Sequence, residues 1–291
     1  VDGRRIEAQH AGRAKAGRSG AAPKHCITID EMAPASMLPA RQPQTKETAM
    51  SDSRIISRRG ILAALGAGGA LVALPFAVRG ATTFTPGAGD VLIVVDVQNC
   101  FTKGGSLEVK NGDDVVPIIN ALAAKFENVV LTQDWHTPGH VSFASAHSGK
   151  KPFETVKLAY GTQVLWPDHC VQGTDGAALN KDLSIPKAQL VIRKGYHGDV
   201  DSYSAFVEAD GKTQTGLAGY LKDRHIRRVF VVGLATDFCV AWTALDARKL
   251  GFTAVVLEDA TRGIDANGSL DAAWKKMKKA GVIRANSSDI V

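Results

Sequence analysis

The chain has 291 residues, 45% of them hydrophobic, with a net charge of +6 and a sequence pI of about 9.1. That apolar share suffices for one large core or two small ones. Residues 1–89 hold 12 Lys/Arg against 6 Asp/Glu, while residues 90–291 hold 23 of each sign. The basicity therefore belongs to the leader, which excludes an electrostatic footprint for DNA or RNA on the part expected to fold.

Residues 1–49 are polar, aperiodic and rich in Ala, Gly, Arg and Pro, the composition of a disordered segment, and are expected to lie upstream of the true start. From Met50, a basic stretch with Arg58-Arg59 precedes a weakly hydrophobic Gly/Ala/Leu run ending near Ala77. This layout predicts a twin-arginine signal peptide over 50–81, read by the twin-arginine translocation machinery and cut near Val78–Thr82. The run could barely span a bilayer, but its four glycines and many alanines make a poor anchor. Export, to a periplasm or its equivalent, is expected rather than stable membrane attachment. The folded unit is then 82–291.

Within it, DVLIVVDV (90–97) reads as a near-continuous apolar strand and DDVVPIINALAAKFE (113–127) has helical spacing. NVVLTQ (128–133) is a second strand, QLVIRK (189–194) a third and RRVFVVGL (227–234) a fourth. GLATDFCV (233–240) leads into a helix, FTAVVLED (252–259) is a fifth strand, and a last helix falls near 269–280. The stretch 134–188, with WHTPGH, WPDHC and GTDG, is long and irregular, a form of excursion that is usually functional. Strands apolar on both faces and separated by helices predict an α/β three-layer sandwich, with a mainly parallel, doubly wound sheet covered by helices on both faces. Ligands in such sheets bind at the carboxyl ends of strands.

Those ends carry chemistry. Asp96 follows five apolar residues, a costly place for a carboxylate unless it is paired or working. Lys194 closes the third strand, and Cys239 stands at the first turn of the helix after the fourth, where the helix field favours a thiolate. Each alone has a bland reading, as a turn cap, a surface lysine and a core thiol. Together, a carboxylate can take the thiol proton and an ammonium can steady the thiolate that attacks a carbonyl. Backbone N–H groups around Ala235 and Cys239 could receive the oxyanion. Asp134 and His136 are two apart and share a side of an extended chain, and His169 lies in a loop. One carboxylate and two imidazoles suit a single divalent Zn, Fe or Mn ion with open positions. His140 is a doubtful fourth ligand, with a supporting or surface role favoured; His147, His197 and His225 read as ordinary loop or surface histidines.

DVQN-F, D-W-H-x-x-x-H-x-S-F-A, W-P-x-H-C-V-x-G-T, K-G…D-x-Y-S-A-F and G-x-A-T-D-x-C-V occur in this order. On these motifs the chain resembles the nicotinamidase/pyrazinamidase branch of the isochorismatase-like hydrolases from about residue 90 to 291. The resemblance implies a catalytic triad of Asp96, Lys194 and Cys239, a metal held by Asp134, His136 and His169, and a cis peptide at Leu234–Ala235 that turns backbone N–H groups into an oxyanion hole. It implies that Phe101 and Trp166 sandwich a pyridine ring and that Tyr203 lines the pocket. It implies hydrolysis of nicotinamide, and of pyrazinamide, to the acid and ammonia through a thioester. Cys100 stands where the pattern usually has an acid, which puts an extra thiol near the site. Whether it pairs with Cys170 is left open, as is self-association. Two rivals remain: a related amidase for another small amide such as an N-carbamoyl compound, and a periplasmic binding module without catalysis.

Overall fold

The computed structural model describes residues 83–291, so the expected upstream segment and signal peptide lie outside the described residues. In chain order the elements are β1 (Asp90–Val95), α1 (Val115–Lys125), β2 (Asn128–Asp134), β3 (Thr155–Leu158), β4 (Gly161–Val164) and β5 (Leu190–Lys194). They continue with α2 (Leu217–Asp223), β6 (Arg228–Leu234), α3 (Ala241–Lys249), β7 (Thr253–Arg262), α4 (Ser269–Lys279) and β8 (Ile283–Ala285). Six strands form one sheet in the order β5-β2-β1-β6-β7-β8, with every neighbouring pair parallel.

All six residues of β1 are buried, which requires cover on both faces and accounts for the unbroken run of branched apolar residues. α1 packs on β6 and β7, and so does α3. Phe126 and Phe84 close on Phe230 of β6 with ring centroids 5.0 and 5.5 Å apart. The chain places β2 and β5 to one side of β1 and β6, β7 and β8 to the other. The direction of winding thus reverses between β1 and β6, and a crevice opens there beyond the carboxyl ends of the strands.

Four details differ from the expectation. β1 stops at Val95 because Asp96 turns to a left-handed φ of 48°. The irregular stretch 134–188 contains the antiparallel hairpin β3–β4, whose four-residue strands are too short to show a period. The short helix α2 and edge strand β8 are additions of the same kind. Cys239 lies not in a regular first helical turn but in a π-helical turn, Thr236–Val240, which runs into α3. No helix among the described residues is long and apolar enough to cross a membrane.

Candidate active site

The two sides of the reversal point deliver Asp96, just past β1, and Cys239, just past β6. Lys194 arrives from the end of β5 and Asp134 from the end of β2, paired with it in register. Gly233 is needed for this approach: its φ is 107°, and a Cβ there would stand 2.1 Å from the Val95 carbonyl oxygen. The peptide Leu234–Ala235 is cis.

Lys194 is wholly buried, which only paired charges tolerate. Its ammonium donates to Asp134 Oδ1 at 2.5 Å, to the Ser202 carbonyl at 2.9 Å and to Cys239 Sγ at 3.3 Å. An ammonium has three protons. Asp96 Oδ2 lies 2.8 Å from the same nitrogen as an ion pair and competes for the same protons. The other Asp96 oxygen accepts from the Thr132 hydroxyl at 2.5 Å. Asp96 therefore keeps one oxygen attracted to the ammonium yet with room for a proton, and a carboxylate oxygen of Asp96, one of Asp134 and the Cys239 sulfur all lie within 4.8 Å of one another.

Burial raises the Asp96 pKa, against the pull of Lys194. Burial also pushes the Cys239 thiol well up; Lys194 draws it down, while Asp96 and Asp134 push it further up. Burial and the two carboxylates thus oppose the thiolate that a helix start alone would favour. Burial would lower Lys194, but Asp134, Asp96 and Cys239 hold it well above its ordinary value. Burial would raise Asp134, but Lys194 and then His136 hold it well below.

Asp134 turns its second oxygen toward two imidazoles, with His136 Nε2 and His169 Nε2 each 3.7 Å from Oδ2. The Nδ1 atoms face the carbonyls of Gly195 at 2.9 Å and Pro167 at 2.8 Å. Such contacts set the tautomer and leave both Nε2 lone pairs aimed at one point. These three buried side chains suit one divalent cation with open positions. Gly195, at φ 66°, admits this packing, since a Cβ would stand 2.6 Å from the His136 ring. His140 is buried, not on the surface; it contacts Ser142 through Nδ1 at 2.7 Å and the His197 and Val200 carbonyls through Nε2. A second grouping of His136, His140 and Asp201 is also close enough to hold a cation, but both His140 nitrogens already have protein partners. His197 pairs with Glu208 at 2.9 Å, and His147 and His225 stay peripheral.

Between the two clusters lies a narrow cavity, lined by Phe101, Trp166, Tyr203 and Ala235 together with Cys239, His136 and His169. Trp166 donates its indole N–H to the Tyr203 hydroxyl at 3.0 Å and meets Phe238 edge-on at 4.8 Å. Sequence reasoning missed the residues behind these walls. Gln98 donates to the Asp134 carbonyl and accepts from the Asp134 N–H, at 2.9 and 2.8 Å. Gln163 reaches Asp201 at 2.6 Å and the Tyr203 hydroxyl at 3.2 Å. Asp237 accepts from the backbone of Ile264 and Asp265 and from Ser269, tying the turn of Cys239 to the start of α4. Gln98 and Asp237 were visible as motif letters, while Gln163 gave no signal.

The isochorismatase-domain family pattern matches residues 90–288. The chain belongs to the isochorismatase family. Among family members, a nicotinamidase of Acinetobacter baylyi is 58% identical over 200 residues, 69% of this chain and 94% of that one. PnC1 of L. infantum, solved in complex with nicotinate, superposes with a TM-score of 0.64 at 44% identity, covering 72% of this chain and 98% of that one. A pyrazinamidase of Pyrococcus horikoshii solved in complex with zinc gives 0.57 at 34% identity, covering 68% and 99%. The six-stranded parallel sheet is thus the fold of this family, as the strand pattern predicts.

Proposed function

We propose that this chain is a nicotinamidase that hydrolyses nicotinamide, and pyrazinamide, to the acid and ammonia. The observation that carries it is a single aromatic-walled cavity with the Cys239 thiol at one end, backed by the Lys194 ammonium and the Asp96 carboxylate, and two imidazoles and a carboxylate at the other. A ring between Phe101 and Trp166 would present its amide carbon to Cys239. Asp96 takes the thiol proton as sulfur attacks the carbonyl carbon, and Lys194 supports the charge that forms on sulfur. The N–H groups of Ala235 and Cys239 receive the carbonyl oxygen as it becomes an oxyanion. Asp96 returns the proton to the amide nitrogen, ammonia leaves, and a thioester remains. Asp96 then takes a proton from water as its oxygen attacks the thioester carbon, and returns that proton to the departing sulfur, which frees the acid, the thiol and the Asp96 carboxylate.

A divalent ion held by Asp134, His136 and His169 would supply a Lewis-acid contact for the pyridine nitrogen. The donor set fits Zn, Fe or Mn, and the zinc complex of the Pyrococcus relative makes zinc the first ion to test. An N-carbamoyl compound has no ring nitrogen to use this corner. The same reading includes export: residues 50–81 act as a twin-arginine signal and residues 82–291 form the enzyme. The family match begins only at residue 90, so the leader is additional to it. Ammonia release from nicotinamide, pyrazinamide and a carbamoyl amide, with metal analysis of the same sample, tests the activity. Fractionation of the native host, before and after Arg58-Arg59→Lys-Lys, tests the export.

A further inference from the structure

We propose that the Cys100–Cys170 disulfide is a positioning device of this site, a covalent strap that holds Phe101 against His169 and so sets the affinity for an aromatic amide. The inference rests on the nicotinamidase reading for its substrate, but its structural part stands without it. The bond joins cysteines 70 residues apart with Cα atoms 5.6 Å from each other, both almost wholly buried. Cys100 immediately precedes Phe101, and Cys170 immediately follows His169. The rings of Phe101 and His169 meet with centroids 5.5 Å apart, and both line the cavity. One pocket wall and one metal-binding imidazole therefore hang on the two half-cystines.

The backbone around Cys170 makes the bond a junction of three segments. Its carbonyl accepts the His136 N–H at 3.1 Å, which ties the other imidazole to the same point. Its φ is +43°, a left-handed conformation that a residue with a side chain adopts only where the surroundings dictate it. On the other side, the Cys100 N–H donates to the Gly176 carbonyl at 2.9 Å, and its own carbonyl accepts from Leu107 at 3.0 Å. No sheet ladder holds residues 99–107 or 165–173; the second makes only the isolated bridges at Trp166 and Val171, and the first makes none. Burial and loop hydrogen bonds hold them instead, so the spacing between the two segments is set by side-chain packing and by the cross-link. A cross-link that spans them removes the alternatives in which Phe101 and His169 drift apart, so less ordering is needed when substrate binds. Cys239 remains a free thiol, so the strap leaves the nucleophile unspent.

The test uses the full chain purified without reductant. Peptide mapping after alkylation is expected to recover the peptide of Cys100 linked to that of Cys170, a result that needs no activity. Cys100→Ser and Cys170→Ala are expected to raise KM for nicotinamide about three- to ten-fold and to weaken nicotinate binding by the same factor, while kcat stays within about two-fold. Dithiothreitol, which passes two electrons and two protons to the disulfide and becomes a cyclic disulfide itself, is expected to shift the untouched chain to the same KM and to leave both variants unchanged. If either variant fails to fold, the reduced wild-type chain provides the comparison. Free thiols at Cys100 and Cys170 in active enzyme, or an unchanged KM after the bond is removed, overturn the proposal. A wild-type chain that binds and turns over no aromatic amide overturns the nicotinamidase reading instead.

Discussion

Asp96, Lys194 and Cys239 stand just at or past the carboxyl ends of β1, β5 and β6, strands of one parallel sheet, whereas His136 and His169 stand on connections outside it. Of the second cluster only Asp134 ends a strand. The first cluster inherits its geometry from sheet register and from a fully enclosed ammonium. The second depends on local devices: the Gln98 clamp on the Asp134 peptide, the bare backbone of Gly195, the carbonyls behind each imidazole, and the disulfide. The difference teaches a division of labour, in which bond-making groups ride on the sheet frame and binding groups on loops that are pinned locally and joined to the frame through Asp134.

The largest break in that comparison is expected at the nucleophile. Cys239→Ser should cut turnover by roughly a thousand-fold or more, since a hydroxyl is far harder to ionise than a thiol, while nicotinamide still binds in calorimetry. Substantial ammonia release from that variant would remove the covalent route. Asp96→Asn should lower kcat by about 10²- to 10⁴-fold. It should also abolish the acid limb of the pH profile. Asp96 must be ionised to accept the proton, so activity falls as pH drops through its pKa. Because burial raises that pKa despite Lys194, the fall should begin at higher pH than for an ordinary carboxylate.

On the other side of the cavity, His169→Ala, or prolonged chelation, should raise KM at least about ten-fold and lower bound metal in parallel, with the fold intact by circular dichroism. A chelated enzyme that keeps its rate with no metal by elemental analysis would favour a metal-independent amidase. The smallest effect is expected from Asp237→Asn, which leaves both clusters in place but weakens the charged acceptor for two backbone N–H groups and a hydroxyl. A loss of about 1–3 kcal/mol in a denaturant titration, with kcat nearly unchanged, would assign Asp237 to holding the turn rather than to chemistry.

Strands buried on both faces announce themselves, as β1, β2, β6 and β7 did, and the half-exposed edge strand β5 also fell where a run of branched residues lay. The acid, amine and thiol were legible for the same reason, as polar letters at the ends of those runs. What escaped has no period to read. β3 and β4 are four residues each, and the π-helical turn at Cys239 differs from an α turn by one residue in its hydrogen bonding. The upward push on the thiol escaped because it comes from burial and then from Asp96 and Asp134, 143 and 105 residues away in sequence but within 4.8 Å of its sulfur in space. Whether Cys100 meets Cys170 was likewise a question of loop placement, which composition does not report.

Lys194 has three protons for four acceptors, the Asp134 and Asp96 carboxylates, the Ser202 carbonyl and the Cys239 sulfur. That shortage is a property of the ammonium as much as of Asp96. A guanidinium offers five N–H donors in a rigid fork and would keep the positive charge. Lys194→Arg, if the enclosed space admitted it, would therefore bring surplus donors to the Asp96 oxygen and occupy the place kept for a travelling proton. The charge balance of the cluster would survive such an exchange, and its catalytic vacancy would not. In this cavity a lysine is useful for the hydrogen it lacks.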